Sequence, residues 1–471
     1  MNKELTMTVM NLMTGTWLSA ADELGRSMPG KVAPPGDDAY AHARQIWNGA
    51  VDHRPALFAF CETAEDVQSA LQIARVHGLP LSVRGGGHDW AGRALRPDGL
   101  VLDLSGMRRV TIDAEARVAT VEGGATAGDV IAAAAPHGLA AVTGSAGAVG
   151  MAGLTLGGGY GPLSARYGLA LDNLLSVELV LADGRLVTAD AATNPELFWA
   201  LRGGGGNFGV VTAMRIRLHP LRELLGGLIL FSWHEADAVL QGYAALAASA
   251  PDELGVSSGV MSGPDGSPVL FLAPSWTGAR PEGDEVMAKL QGLGEPVWAR
   301  IAPMTCGEML RMFDDHTVNG RHYAVETRWV STLTPEVIQL LVAGGATKPS
   351  PFAAIMLQHF RGAAARVPVD ATAFGLRREH FLIVIVAAWE ADAGDASTAD
   401  EAAGHRQWAE RLSLALALTP AAVPGGYPNL LGPHQRDRAA LAYGYKIVRL
   451  QRAKQRFDPD GVFASATPLP P

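Results

Sequence analysis

Val83-Arg84-Gly85-Gly86-Gly87-His88-Asp89-Trp90 is the stretch of this chain that is best placed to hold a ligand. Three consecutive glycines remove every β-carbon over about ten ångströms of backbone. The bare N–H groups left behind can close on something flat or anionic, such as a bulky phosphate-bearing ligand. The apolar Leu79-Pro80-Leu81-Ser82 before it reads as a short buried strand, so the run sits where a strand opens into a loop. A single histidine in a chain with 13 of them is ordinarily a surface or core residue. His88 stands out because of the glycines it follows.

Two further glycine-rich stretches share this character. Gly144 to Gly161 holds eight glycines in eighteen residues, with Val149, Leu154 and Leu156 as packing anchors. Ordering so many glycines costs entropy that contacts must offset. Gly204, Gly206 and Gly209 formally match the dinucleotide fingerprint G-x-G-x-x-G, which in a Rossmann unit opens a helix. Here Val210 to Leu218 alternates as a strand, so the Rossmann reading fails while close backbone approach to a ligand survives.

The rest of the chain must position these loops. At 471 residues it has room for two or three domains, and 48% hydrophobic with 18% charged residues describes a globular protein. A net charge of −9, with no long Lys/Arg cluster, argues against nucleic acid or an anionic membrane as partner. Cys61 and Cys306 are far apart and flanked by no metal-ligand spacing, so neither a disulfide framework nor a metal site is expected. Met1 to Met7 lacks the look of a secretory signal, and the longest strongly apolar run, Phe381 to Trp389, is a buried strand; a cytoplasmic protein is expected.

Pro34 to Asp38 forms a turn that delivers Trp47-Asn48, and Thr63 with Asp66 predicts a capping box opening a helix over Val67 to Val76. Hairpins are predicted at Val110–Ile112 with Val118–Val121, and at Val177–Leu181 with Leu186–Thr188 around Asp183-Gly184. After Pro220 the glycine runs largely stop. Six strands are predicted: Leu228–Trp233, Val269–Ala273, Val297–Ile301, Tyr323–Val330, Ala353–Phe360 and Phe381–Trp389. Helices at Ala236–Ala248, Glu285–Leu290 and Pro335–Val342 suggest a sheet covered on one face. Asp392 to Gly404 reads as an acidic loop, Gln407 to Leu418 as a helix, and Arg436 to Arg456 as a helix around Tyr443 and Tyr445.

Val83–His88, Val149–Gly161, Gly203–Thr212, and the C-terminal Tyr443-Gly444, Arg449-Leu450 and Phe457-Asp458-Pro459-Asp460 together closely resemble the berberine-bridge-enzyme-like flavin oxidases of the vanillyl-alcohol-oxidase superfamily. The likeness runs from about Pro34 to Phe463. It implies an α+β fold: a PCMH-type FAD-binding domain of two α+β subdomains over 30–222, a substrate domain with a helix-covered antiparallel sheet over 223–424, and a C-terminal segment, 425–471, returning to the first. It implies FAD tethered through His88, with Arg84, Gly85, Gly86 and Gly87 around the pyrophosphate. The remaining cofactor contacts it implies are Ser145, Gly147, Val149, Gly150, Gly153, Leu154, Gly158, Tyr160, Gly161, Gly209, Val210, Val211, Tyr443 and Lys446. Doubly tethered members carry a cysteine where Ala146 stands, so one tether is expected. Leu154 and Ala152 replace a histidine and a glycine found in many members, which leaves oxygen reactivity open. Lys446 replaces an asparagine and either places a charge near the ring or is a solvated helix lysine.

The family's chemistry implies a hydride leaving a carbon that bears oxygen or nitrogen, with O2 as the second substrate. Plant members place a glutamate base on a late strand, but Phe381 to Ala388 contains no acid. The candidates are therefore Tyr427 and Tyr443 from the tail, favoured because the tail returns to the FAD domain, then Tyr323 and Glu326 on one strand and Gln358 on another, with pairing to Arg328 as the alternative role for Glu326. A dehydrogenase with another acceptor, or a nucleotide- or sugar-binding module without redox chemistry, are the competing readings. Whether the chain is a monomer or a homodimer is open.

Overall fold

The protein is described here from a computed structural model, which places residues 17–390, 398–464 and 469. The readings at Met1–Met7 and at 392–397 lie outside those residues.

Thr63 caps the helix Ala64–Val76 reciprocally with Asp66, as the sequence predicts. Its buried stripe of Val67, Ala70, Leu71, Ile73 and Ala74 packs into one core with Leu57, Leu81, Leu100 and Leu102. Those residues belong to a four-stranded sheet ordered Val32–Ala33, Leu57–Phe60, Leu100–Asp103, Leu81–Arg84. The last three strands run parallel, so Arg84 brings the glycine run out at the sheet's carboxyl edge. In open α/β sheets that edge is where ligands bind.

A second, antiparallel sheet is ordered Val110–Asp113, Val118–Glu122, Val210–Arg217, Leu174–Val180, Leu186–Asp190 and contains both predicted hairpins. Val210–Arg217 is a strand immediately after Gly209, which removes the Rossmann arrangement. The glycine-rich stretch holds an element with no amphipathic signature in the sequence. Met151–Gly157 is a helix whose small residues let it bury Met151, Ala152, Thr155, Leu156 and Gly157.

From Leu224 to Val423 the chain builds one antiparallel sheet of eight strands, ordered Pro296–Met304, Leu224–Ser232, Pro268–Trp276, Leu254–Ser262, Ala354–Phe360, His380–Trp389, His322–Val330, Ala422–Val423. Six of these were expected. Leu254–Ser262 escapes the apolar pattern because Gly255, Ser257, Ser258 and Gly259 fill its middle. Ile383, Ile385, Ile355 and Leu357 point into a core with Leu240, Leu341 and Leu412 from the helices Ala236–Ala247, Pro335–Ala346 and Thr398–Ala417. The last helix begins at Thr398, so the second half of the expected acidic loop is helical. The tail helix Ile447–Phe457 then returns to the first part of the chain, where Arg449 pairs with Glu196 at 2.7 Å. Among the described residues no helix is long and apolar enough to cross a membrane.

Candidate active site

A cavity of about 470 Å³ lies between the glycine loops and the uncovered face of the large sheet. On the loop side its wall is mostly backbone. Gly86 and Gly150 approach so closely that a β-carbon on either would fall 2.5 or 2.6 Å from the other's amide nitrogen. Gly85, Gly86, Gly87 and His88 line the cavity, with Gly87 at φ +67°, where a side chain is strained. Ser145, Val149, Gly150, Gly153 and Leu154 continue the wall, and Gly209 and Val211 close it below. A β-carbon at Gly153 or Gly206 would meet nothing within 4 Å, so these two positions are open.

Some expected contacts stand one layer behind. Arg84 turns away to pair with the fully buried Asp103 at 2.6 Å. Gly147 accepts a bond from the Gly128 amide, and Gly161 lies against the Thr143 carbonyl. Gly158 packs on the Tyr427 ring, and Val210 is buried in the core under the parallel sheet. These residues shape the wall without forming its surface.

The His88 ring also lines the cavity. Its Nε2 is shielded from solvent with no hydrogen-bond partner, and burial pushes its pKa down to about 4. The imidazole is therefore neutral near pH 7. It stacks on Trp47 at 4.4 Å, and Trp47 stacks on Tyr323 at 3.9 Å. Trp47 donates its indole N–H to the Thr317 carbonyl, while Asn48 bonds both the amide and the carbonyl of Tyr323. This ladder ties the glycine loop to the large sheet. Sequence reasoning placed Trp47-Asn48 after a turn but had no means of placing them against His88.

On the sheet side, Tyr323, Val325, Gln358, Leu382, Val384 and Val386 face the cavity. Tyr323 presents its ring, its hydroxyl being donated to the Val318 carbonyl at 2.7 Å. Gln358 reaches Ser145 Oγ at 3.4 Å across the gap. Glu326 alternates to the opposite face of its strand. Its partners are Ser413, Gln435 and Arg438, so it is neither a candidate base at the cavity nor a partner of Arg328, whose guanidinium donates to Ser413.

Tyr427 lines the cavity, buried among Tyr160, Trp329 and Phe374. Its phenol oxygen accepts from the Gly159 amide at 2.8 Å and from Asn429 Nδ2 at 3.0 Å. Burial raises its pKa to about 12, so the hydroxyl stays protonated. With its oxygen accepting two N–H bonds, its own proton is left to donate. Tyr160, also on the lining, meets His380 Nε2 at 2.9 Å.

Tyr443 and Lys446 are corrected by the structure. Tyr443 is buried off the cavity in the core with Leu201 and Phe208, its hydroxyl donated to Gly203 O at 3.3 Å. Lys446 is neither beside the cavity nor solvated. Its ammonium is buried and donates to the carbonyls of Val369, Thr372 and Phe374. It fastens the tail to that loop. Both sit at the break between the helices Arg436–Tyr443 and Ile447–Phe457, where the expected single helix is interrupted at Gly444.

Cys61 and Cys306 are free and buried, and no cluster fit to hold a metal occurs among the described residues. The donor set instead suits FAD. Two glycine loops touch where β-carbons would fill the space, two more glycines are open, and a neutral imidazole with an unpartnered nitrogen stands at the end of the run. The fold is that of the PCMH-type proteins, and the lining suits the cofactor they carry.

Comparison with known proteins agrees. Residues 55–190 match the model of the FAD binding domain family. The chain is 38% identical over 291 residues to (R)-6-hydroxynicotine oxidase of Paenarthrobacter nicotinovorans, covering 61% of this chain and 63% of that one. An FAD-linked oxidoreductase of Bacillus subtilis, YgaK, is 28% identical, with 94% and 97% covered. The crystal structure of 6-hydroxy-D-nicotine oxidase from Arthrobacter nicotinovorans superposes with a TM-score of 0.84 at 29% identity, covering 94% of this chain and 98% of that one. Solved berberine-bridge-enzyme-like chains share the fold as well. The chain is an FAD-linked oxidoreductase, similar to 6-hydroxynicotine oxidase and to the FAD-linked oxidoreductases of Bacillus subtilis.

Proposed function

We propose that this enzyme is an oxidase that carries FAD on a single covalent bond to His88 and oxidises an alcohol or amine carbon. When bound, FAD takes a hydride from that carbon and passes the electrons to dioxygen; the substrate loses two electrons and two protons, and dioxygen gains them as hydrogen peroxide. The observation that carries the reading is the neutral, unpartnered imidazole of His88 at the end of a bare glycine run. A cationic imidazole would be a poor nucleophile, and burial prevents that form. Ala146 on the lining offers no sulfur for a second bond.

The remaining work falls to named groups. The Gly85–Gly87 amides are free to hold the pyrophosphate. Trp47 and Tyr323 hold the imidazole plane, and Gln358 with Tyr427 reaches the reacting substituent. The substrate O–H proton leaves to solvent ahead of the hydride, and the Tyr427 proton, donated to that oxygen, would stabilise the alkoxide that results. The aliphatic sheet face excludes water.

Acid precipitation followed by tryptic mapping tests the tether. Yellow colour is expected to stay with the peptide containing His88 and to be released from the H88A protein. Peroxide formation under air separates an oxidase from a dehydrogenase, and protein purified without flavin overturns the reading.

A further inference from the structure

The large sheet presents the cavity with a grid of side chains fixed by strand register. Val325 stands opposite Val386, which stands opposite Ala354; Val384 faces Met356; Leu382 faces Gln358. Beyond Met356 come Gly259 and then Phe271, with Met261 two residues along. All of these but Gly259 line the cavity, and Phe313 and Phe352 extend the wall. Gln358 is the one side chain in the grid able to make a hydrogen bond.

Charge is absent from the same wall. Among the described residues, no Asp, Glu, Lys or Arg of Leu224–Val423 lines the cavity, and Glu326 is engaged on the other face. Arg321 lies behind Phe352, its guanidinium 3.9 Å over that ring. His316 is held toward its neutral form by burial and, more weakly, by Arg321 and Lys348, against Asp315. On the loop side, Asp89 and Arg93 pair with each other at 2.7 Å. A cationic amine entering here would be a buried charge without a partner, and a sugar would leave most of its hydroxyls unsatisfied.

We infer that the substrate is a neutral, largely apolar, ring-bearing alcohol, its flat body laid on the Val325–Val386–Ala354 and Val384–Met356 rows and its single hydroxyl held between Gln358 and Tyr427. The assignment rests on the flavin reading and narrows it. With its amide nitrogen at Ser145 Oγ, Gln358 keeps its carbonyl oxygen to accept the substrate O–H, and Tyr427 donates to the same oxygen. Two polar contacts and an apolar plane match one hydroxyl on a ring system. The relatives named for nicotine oxidation share the fold, but this wall lacks the counter-charge that a protonated amine needs.

The test uses the yellow holoenzyme without oxygen, titrated with cinnamyl alcohol, tyramine or cellobiose, with the blue absorbance of the bound flavin as readout. Cinnamyl alcohol is expected to shift or bleach that band, and the charged amine and the disaccharide to leave it unchanged. A response to tyramine or cellobiose in preference, or to none of the three, overturns the assignment. Gln358→Leu should weaken cinnamyl alcohol about tenfold while leaving binding of β-methylstyrene, which lacks the hydroxyl, as it was; equal loss for both overturns the hydroxyl contact. Val384→Glu should weaken the alcohol by a similar factor and admit tyramine, and a variant that stays yellow yet keeps the parent's selectivity sinks the wall's role. Flavin content is measured first on every protein. A colourless parent refutes the flavin reading, whereas a yellow one with the wrong preference refutes only this inference.

Discussion

The two walls of the cavity are made of different materials. The loop wall is backbone, its shape set by where β-carbons are missing; the sheet wall is side chain, its shape set by which aliphatic group fills each register position. Where its two loops touch, a backbone wall leaves a substitution nowhere to go. A side-chain wall can trade volume between neighbours at a modest cost, typically under about 1.5 kcal/mol for volume-conserving swaps. The first is suited to a cofactor that never changes, the second to a substrate that differs from one relative to the next.

The sharpest way to break that contrast is Gly86→Ala. Its β-carbon would sit 2.5 Å from Gly150 N and 2.7 Å from Gly150 Cα, against backbone that cannot rotate away. Ordinary overpacking costs about 1–3 kcal/mol, and here relief requires the two loops to part. The purified variant should be colourless, with the flavin-to-protein absorbance ratio near zero. Val386→Leu on the other wall should remain yellow. If Gly86→Ala loads flavin normally, the loop wall is not the rigid cradle described here.

Tyr427 joins the two walls, and its removal should separate turnover from cofactor binding. Tyr427→Phe deletes the proton offered to the substrate oxygen and leaves the Gly159 N–H without its acceptor, while Asn429 Nδ2 keeps the Gly153 and Leu154 carbonyls. Loss of a donor aimed at developing charge costs on the order of 10²-fold in kcat. The flavin ratio should be unchanged and the melting temperature only modestly lower, since one unsatisfied buried donor costs about 1–3 kcal/mol. An unaltered kcat would remove Tyr427 from the reaction.

The difference between the walls also explains what the sequence could reveal. Glycine runs are legible because few other roles demand so many residues without β-carbons, and the Gly86–Gly150 approach is the contact they imply. The Thr63 capping box and the Asp183-Gly184 turn are equally local and formed as expected. The helix Met151–Gly157 was hidden because small residues, packed tightly, carry no amphipathic period. Leu254–Ser262 was hidden because serines and glycines at the centre of a sheet look like a loop until neighbouring strands cover them. Lys446, Tyr443 and Glu326 went astray for a third reason. Each has partners dozens to hundreds of residues away, and only the tertiary fold decides whether a polar side chain meets the cavity, the solvent or a set of carbonyls.

The smallest expected effect is a pH dependence of stability that sets one buried histidine from each side against the other. In the flavin-free protein His88, on the loop wall, has a folded pKa of about 4, and His380, behind the sheet wall, has a folded pKa of about 3; burial lowers both from 6.5. The Arg378 carbonyl can only accept, so His380 Nδ1 carries the hydrogen and Nε2 accepts from the Tyr160 hydroxyl. A second proton, on Nε2, would force the Tyr160 hydroxyl to turn from donor to acceptor. Between the folded and unfolded values the unfolded chain binds protons that the folded chain refuses. Stability is therefore full above pH 6.5 and falls as the pH drops toward 4, by about 1.4 kcal/mol per pH unit for each such histidine. His219, lowered to about 4, and His359, lowered to about 3, add to the slope. Carboxylates held below their usual range add nothing until the pH falls below about 4. The urea midpoint should decline steadily from pH 6.5 to 5. His380→Gln should start lower, having lost its fit to Tyr160, but decline less steeply. A midpoint that stays level across this range in the parent protein would mean that water reaches these imidazoles and that the cavity is wetter than its walls imply.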